Sequence, residues 1–141
     1  MITIEQAKPY DIDDVKVFYH QCNYGGGLSE KDLIFIAQLE SKIVGVVRLC
    51  PGTGFLVLRG MQVLGPFQRQ GIGKQLLQSC TDHLVGQVCY CIPWQHLSPF
   101  YQQAGFQEVL PDKVPVLLRE RFKDYLSREM NVILMCRLPD A

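Results

Sequence analysis

One stretch of the chain joins a strand-like run to a helix-like run through two glycines. Residues 55–64 are apolar and rich in β-formers, and from Ile72 onward apolar side chains recur every four positions, as on one face of a helix. Gly71 and Gly73 lie where the two patterns meet. Unpaired N–H groups and the positive end of the helix dipole converge at such a junction. The stretch therefore predicts a site for a phosphate or a similar anion.

The spacing of the glycines excludes two familiar phosphate loops. A Walker A loop needs a glycine where this chain has Gln68, and a serine or threonine where it has Gln75. A dinucleotide-binding fingerprint needs a third glycine, but Leu76 occupies that position. We therefore expect neither a nucleotide triphosphate nor a dinucleotide at this turn.

The remaining patterns predict a mixed α/β sheet flanked by helices. Strands are predicted over residues 2–7, 33–39, 43–50, 55–64, 87–94, 106–110 and 130–138, and helices over 11–22, 72–86, 98–103 and 114–128. Connections short enough for hairpins join the second, third and fourth strands, so these three are expected to be antiparallel. With no linker or repeat in the sequence, residues 1–141 are interpreted as one domain.

Charge and cysteine content limit the partners. Lys plus Arg equal Asp plus Glu at 14 each, so no overall positive field is expected to attract nucleic acid or a membrane surface. The N-terminal sequence has no signal-peptide pattern, and no apolar run reaches about 18 residues, which favours a cytoplasmic protein. The six cysteines include no CxxC pair, so we expect reduced thiols and no metal site.

Two stretches of the chain have the form of known family motifs. The run "VLGPFQRQGIGKQLL" (63–77) contains a Gln/Arg-x-x-Gly-x-Gly pattern, and "FYQQAGF" (100–106) has the form FYxxxGF. They resemble the phosphate-binding turn and the FYxxxGF segment of the GNAT superfamily, the acyl-CoA-dependent N-acetyltransferases. The element order also agrees over residues 2–138. The resemblance implies a single-domain fold with a mostly antiparallel sheet, which moves an acetyl group from acetyl-CoA to a primary amine of a small molecule or peptide by direct attack in a ternary complex.

The resemblance also implies roles for particular residues. Backbone groups of Met61, Gln62 and Val63 would hold the pantetheine arm of acetyl-CoA. The pyrophosphate would be surrounded by Arg69, Gln70, Gly71, Ile72, Gly73 and Lys74. Tyr101 would donate a proton to the departing thiolate, because a phenol with a pKa near ~10 is protonated at neutral pH.

The general base stays open at this stage. Some relatives carry a carboxylate where this chain has Cys89, which removes one candidate base. Many relatives also have an asparagine that contacts the cofactor where this chain has Trp94, so that contact must be lost or replaced. His96 or water could accept the proton instead, and an acyl-enzyme route through Cys89 or Cys91 lacks an activating neighbour in the sequence. The missing carboxylate also keeps an alternative function open, a non-catalytic acyl-CoA-binding or sensor domain on the same fold.

Three segments are expected to select the amine. They are the loop "HQCNYGGG" (20–27) with Tyr24 as a wall, the strand pair that carries Arg48 and Arg59, and the predicted helix 114–128. That helix has an apolar stripe of Leu118, Phe122 and Leu126, which must be buried against the acceptor pocket or in a homodimer contact.

Overall fold

The structure is a computed structural model that describes residues 1–139. In chain order, the strands and helices are β1 (Ile2–Gln6), α1 (Ile12–Gln21), β2 (Leu33–Leu39), β3 (Lys42–Pro51), β4 (Leu56–Val63), α2 (Ile72–Asp82), β5 (Cys89–Cys91), α3 (Ser98–Gln102), β6 (Gln107–Glu108), α4 (Val116–Ser127) and β7 (Met135–Arg137). Every element predicted from the sequence is present in the expected order, so the predicted α/β class is confirmed.

Seven strands form one sheet in the order β1-β2-β3-β4-β5-β7-β6. Every pair of neighbouring strands is antiparallel except β4 and β5, which run parallel. The parallel pair is joined through α2, as a parallel connection requires a crossover. The sheet is therefore mixed and mostly antiparallel, as expected.

Alternating side chains along the strands build a core on both faces of the sheet. In β2, Phe35 and Ala37 are buried in one cluster with α2, whereas Ile34 and Ile36 are buried in a second cluster with α1. Leu118 of α4 belongs to a third cluster with Val57, whose neighbours Leu56 and Leu58 face α2. Because side chains alternate between the faces of a strand, α1 and α4 cover one face and α2 covers the other.

The parallel pair separates partway along β4. β4 pairs with β5 only at Leu56 and Val57, although β4 continues to Val63. On its other edge β4 stays paired with β3, across an irregularity in register between Val46 and Arg48. The backbone of residues 58–63 consequently borders an open cleft on the β5 side.

Some element boundaries and one burial prediction were wrong. The predicted strands 87–94 and 130–138 shorten to three paired residues each, and the helix predicted to reach residue 86 ends at Asp82. In α4, Leu118 is buried and Phe122 is half-buried, but Leu126 is 47% exposed. The predicted apolar stripe is thus covered only near the start of the helix, and the homodimer contact stays a prediction.

No helix among residues 1–139 is long and apolar enough to cross a membrane.

Candidate active site

The glycine turn forms the N-terminus of α2 without a capping side chain. Gly71 is the N-cap residue, with φ +82° and no side-chain hydrogen bond to the helix. This left-handed conformation favours glycine, and a Cβ there would meet open space. No acidic residue lies in the first turn of α2. The first N–H groups of the helix, which have no intrahelical acceptor, are therefore available to an external anion.

Two glutamine side chains brace the turn that precedes the helix. Nε2 of Gln68 donates to the carbonyl of Val63 at 2.9 Å, and Nε2 of Gln70 donates to the carbonyl of Pro66 at 3.1 Å. Arg69, between them, has a positive φ of 65°. These bonds to the backbone hold the loop between β4 and α2 in one shape before any ligand binds.

A cavity, called here the turn cavity, opens beside the glycines. Its volume is about 450 Å³, and its lining includes Met61, Val63, Phe67, Gln68, Arg69, Gly71, Gly73, Lys74, Leu97, Phe100, Tyr101 and Gln103. Most residues predicted to hold acetyl-CoA are in that set. Three differ: Gln62 lines a second cavity, the Gln70 side chain is bonded within the loop, and the Ile72 side chain is buried in the core.

The second cavity, called here the strand cavity, lies where β4 and β5 separate. It has a volume of about 400 Å³. One side is formed by residues 57–62 of β4 and another by residues 91–94, which follow β5. Tyr24, the predicted wall, lines it, and so do Arg121 and Tyr125 of α4. Two of the three segments expected to select the amine therefore meet β4 at this cavity.

Tyr101 lies where the two cavities meet. Met61, Leu97 and Tyr101 line both of them. The Tyr101 ring is 5% exposed and makes edge-on contacts with Phe100 at 5.0 Å and Phe106 at 6.0 Å between ring centroids. Burial raises the pKa of the Tyr101 phenol above its ordinary value. The hydroxyl consequently keeps its proton throughout the physiological pH range, as a proton donor must.

The cysteines near this junction are unsuited to nucleophilic chemistry. Cys89 is fully buried, and burial raises the pKa of its thiol to about 12. Cys91 lines the strand cavity, but burial raises the pKa of its thiol well above the ordinary value. Because the thiolate is the nucleophile, neither side chain is activated. These environments weigh against an acyl-enzyme route.

The candidate base His96 is exposed and lines neither cavity. Trp94, which stands where many relatives have an asparagine, is 45% exposed and contributes to the wall of the strand cavity. Among the residues the structure describes, no aspartate or glutamate lines either cavity. Neither His96 nor a carboxylate of the described residues is therefore placed on a cavity wall as a base for the amine.

Arg48 was expected on the face that binds the acceptor, but it lies outside the strand cavity and holds Tyr24, which lines it. Its side chain is fully buried, and its guanidinium donates to the Gly27 carbonyl at 2.6 Å, to Asp32 Oδ2 at 3.0 Å and to the Tyr24 hydroxyl at 3.0 Å. The guanidinium also lies over the rings of Tyr19 and Tyr24. The arginine thereby fixes the loop of residues 23–32 against β3.

Gly60 allows this arrangement. Its φ is +68°, and a Cβ would collide with the Tyr19 hydroxyl, which donates to the Gly60 carbonyl at 2.8 Å. The same Cβ would approach Arg48 Nε to 3.1 Å. A larger residue would therefore displace Tyr19, the buried Arg48 or the β4 backbone that lines the strand cavity at this position.

Several lining residues were not singled out from the sequence. In the turn cavity these are Phe67, Leu97, Phe100 and Gln103, and in the strand cavity they include Tyr125, Met130 and Val132. Phe100 directly precedes Tyr101, and its ring lies 3.5 Å from where a Cβ on Gly73 would be. That adjacency was visible in "FYQQAGF", whereas the contribution of residues 130–132 depends on how the chain returns from α4.

A known protein family matches more than half of the chain. Its model, described as an acetyltransferase (GNAT) domain, matches residues 30–108. No curated protein sequence matches.

Three solved structures illustrate the structural likeness. N-acetylglutamate synthase from Neisseria gonorrhoeae, complexed with coenzyme A and N-acetyl-glutamate, superposes with a TM-score of 0.76 at 19% identity over 100% of this chain and 36% of that one. A ribosomal-protein-alanine N-acetyltransferase from Escherichia coli gives 0.71 at 18% identity over 100% and 96% of the two chains. A GNAT-family acetyltransferase from Streptococcus pneumoniae gives 0.71 at 14% identity over 99% and 100%.

The chain therefore spans only 36% of the Neisseria enzyme but nearly the whole of the other two. At these identities the likeness shows a shared fold.

Proposed function

The chain belongs to the GNAT acetyltransferase domain family, and from that premise we propose that it moves an acetyl group from acetyl-CoA to a primary amine. The acceptor is a small molecule or a peptide, and the amine attacks the thioester directly in a ternary complex. The free cysteines among the described residues fit a reducing compartment, so the proposal places the reaction in the cytoplasm.

One observation carries the proposal: two cavities meet at a buried tyrosine. The turn cavity runs from the uncapped N-terminus of α2 to Tyr101, and the strand cavity reaches Tyr101 from the other side. A donor with a phosphate end and a reactive end fits the first, and a separate acceptor fits the second. Two solved structures of the fold contain coenzyme A, which supports this choice of donor.

Binding of the donor would use backbone groups more than side chains. The N–H groups of residues 72–74 and the positive end of the helix dipole would hold the pyrophosphate, with the Arg69 and Lys74 side chains beside it. The pantetheine arm would lie along Met61 and Val63, where β4 has lost its β5 partner, and it would bond to backbone groups other than the Val63 carbonyl, which already accepts from Gln68.

Transfer then needs one bond made, one bond broken and two protons moved. The amine nitrogen attacks the acetyl carbonyl, and a backbone N–H near Val63 stabilises the oxyanion. As the C–N bond forms and the C–S bond breaks, Tyr101 gives its proton to the thiolate of coenzyme A. Water carries away the proton lost by the amine, and later returns one to Tyr101.

Release of the coenzyme A thiol in the presence of a panel of amines tests the proposal. We expect thiol release that depends on an amine, with the acetylated amine detected by mass spectrometry. Tyr101→Phe keeps the ring and removes the hydroxyl, so turnover should fall by about 10²- to 10⁴-fold while acetyl-CoA affinity stays unchanged. Tyr90→Phe, which alters a phenol outside both cavities, is the matched control. Full turnover in Tyr101→Phe would overturn the role of this tyrosine.

The absence of a carboxylate from both cavities, within residues 1–139, favours a second candidate function. On this alternative the domain binds acyl-CoA without catalysis, as a sensor. Tight acetyl-CoA binding with no amine-dependent thiol release across the panel would favour the sensor over the enzyme.

A further inference from the structure

The charged side chains that line the strand cavity are all basic. Its lining contains Arg59 from β4 and Arg121 from α4, and no aspartate or glutamate of the described chain. The chain as a whole has equal numbers of basic and acidic residues, so this imbalance is local. A cleft lined by charges of one sign concentrates ligands of the opposite sign.

Neither arginine is neutralised by a carboxylate of residues 1–139. The two ion pairs among residues 1–139 are Arg48–Asp32 and Arg128–Asp124, so Arg59 and Arg121 pair with no carboxylate. Arg59 also lies opposite Arg48 in the β3–β4 register, a like-charge pairing that is unfavourable unless an anion compensates it. Asp32 compensates Arg48, and the charge on Arg59 is left for a ligand.

The rest of the lining combines uncharged polar groups with a set of apolar side chains, and the cavity is small. Trp94, Leu97, Met130 and Val132 contribute apolar side chains to a volume of about 400 Å³. This volume lies within the range of pockets that bind small molecules, roughly 300–1,000 Å³. The site thus combines two guanidinium groups from different elements with an apolar wall.

We infer that the amine acceptor is a small amino acid-like molecule, a primary amine that carries a carboxylate and an apolar body. This inference rests on the proposed function and names its substrate class. Guanidinium groups match carboxylates in geometry and bind them through paired charge-assisted hydrogen bonds. Arg59 and Arg121 hold the carboxylate, and the amine points toward Tyr101. Polycationic amines are disfavoured, because they would bring further positive charge to a site that already holds two arginines.

The same charges help to make the nucleophile. A positive group near an ammonium disfavours its charged form and lowers its pKa. The two arginines therefore raise the fraction of the acceptor that is present as the free amine. Recognition of the carboxylate and deprotonation of the amine have one electrostatic cause.

Matched acceptor pairs test the inference. We would compare phenylalanine with phenethylamine and leucine with isopentylamine, which differ only by the carboxylate, and include spermidine as a polycation. For wild-type protein, kcat/KM should be about 10- to 100-fold higher for each amino acid than for its decarboxylated partner. Spermidine should be the poorest acceptor.

Charge-neutral variants locate the preference. Arg59→Gln and Arg121→Gln should each lower kcat/KM for the amino acids about tenfold. The decarboxylated amines, which lose only the effect on the amine pKa, should be slowed by a smaller factor. The affinity for acetyl-CoA should not change, since neither residue lines the turn cavity. Lys123→Gln, on the same helix and exposed, removes one positive charge outside the cavity and should behave as wild type.

Failure of this inference is distinguishable from failure of the proposed function. Equal or better turnover of phenethylamine or spermidine would overturn the acceptor class and leave the transferase intact. If no amine is acetylated, calorimetric titration of the same pairs into the complex with coenzyme A still decides the question. Preferential binding of the amino acids, lost in Arg59→Gln, would support the inference, and equal binding of both members would overturn it.

Discussion

Replacing Arg48 by methionine should be one of the most destabilising single changes in this domain. Methionine fills a similar volume, but it removes the donors to the Gly27 carbonyl, to Asp32 and to the Tyr24 hydroxyl. The Asp32 side chain is 4% exposed and would keep only neutral partners, the N–H of Ser29 at 2.9 Å and the Cys50 thiol. Breaking a buried ion pair by removing one member costs about 3–5 kcal/mol. That is a large fraction of the roughly 5–15 kcal/mol that stabilises a typical domain.

A double-mutant cycle separates the buried charge from general loss of contacts. Urea unfolding followed by circular dichroism should show Arg48→Met losing about 3–5 kcal/mol and Arg48→Met/Asp32→Asn recovering part of it, because an unpaired amide costs less than an unpaired carboxylate. As a control, Arg128→Met breaks an exposed pair with Asp124 and should cost at most about 1 kcal/mol. If Arg48→Met lost no more than this control, or if the two substitutions were simply additive, our interpretation of the buried arginine would be wrong.

Three further predictions concern the donor site and its chemistry. Gly71→Val should weaken acetyl-CoA binding severely in calorimetry, because it strains a left-handed residue and obstructs the turn. Gly73→Ala, whose Cβ meets only ordinary contacts, should remain folded, with a melting temperature within a few degrees of wild type. Cys89 and Cys91 should resist alkylation in the native protein at about pH 8, since burial raises the pKa of both thiols; rapid modification seen by mass spectrometry would contradict this. Because burial also raises the pKa of Tyr101, kcat should show no loss from ionisation of this phenol up to about pH 10. A fall in kcat that begins near neutrality and disappears in Tyr101→Phe would refute the role of Tyr101 as proton donor.

The fold could be predicted from the sequence because the local sequence patterns indicate the same elements that the structure contains. The change of period at Ile72 marks the observed start of α2, and the short connection between β2 and β3 closes as a two-residue turn at Glu40 and Ser41, both with positive φ. The predicted element boundaries were wrong where tertiary contacts determine them. The apolar run before β7 forms only an isolated bridge, between Val132 and Trp94, because it lines the strand cavity before it joins the sheet.

The candidate site could be predicted only in part from the sequence. Motif positions such as Gly71 and Tyr101 follow from local sequence, and the structure places both on the turn cavity. The environment of Arg48 could not be predicted, since a charged residue in a strand is usually assigned to the exposed face and its partner Asp32 lies in a loop. Likewise, nothing in the sequence of α4 indicates that Arg121 turns toward the cavity while Lys123 faces solvent.

A crystal structure of the protein with coenzyme A would test the central proposal most directly. We expect the pyrophosphate to accept hydrogen bonds from the N–H groups at the start of α2, the pantetheine to follow Met61 and Val63, and the sulfur to lie beside the Tyr101 hydroxyl, where the two cavities meet. Coenzyme A bound elsewhere on the domain, or bound at the turn with its sulfur remote from Tyr101, would contradict both the donor site and the role given to the tyrosine.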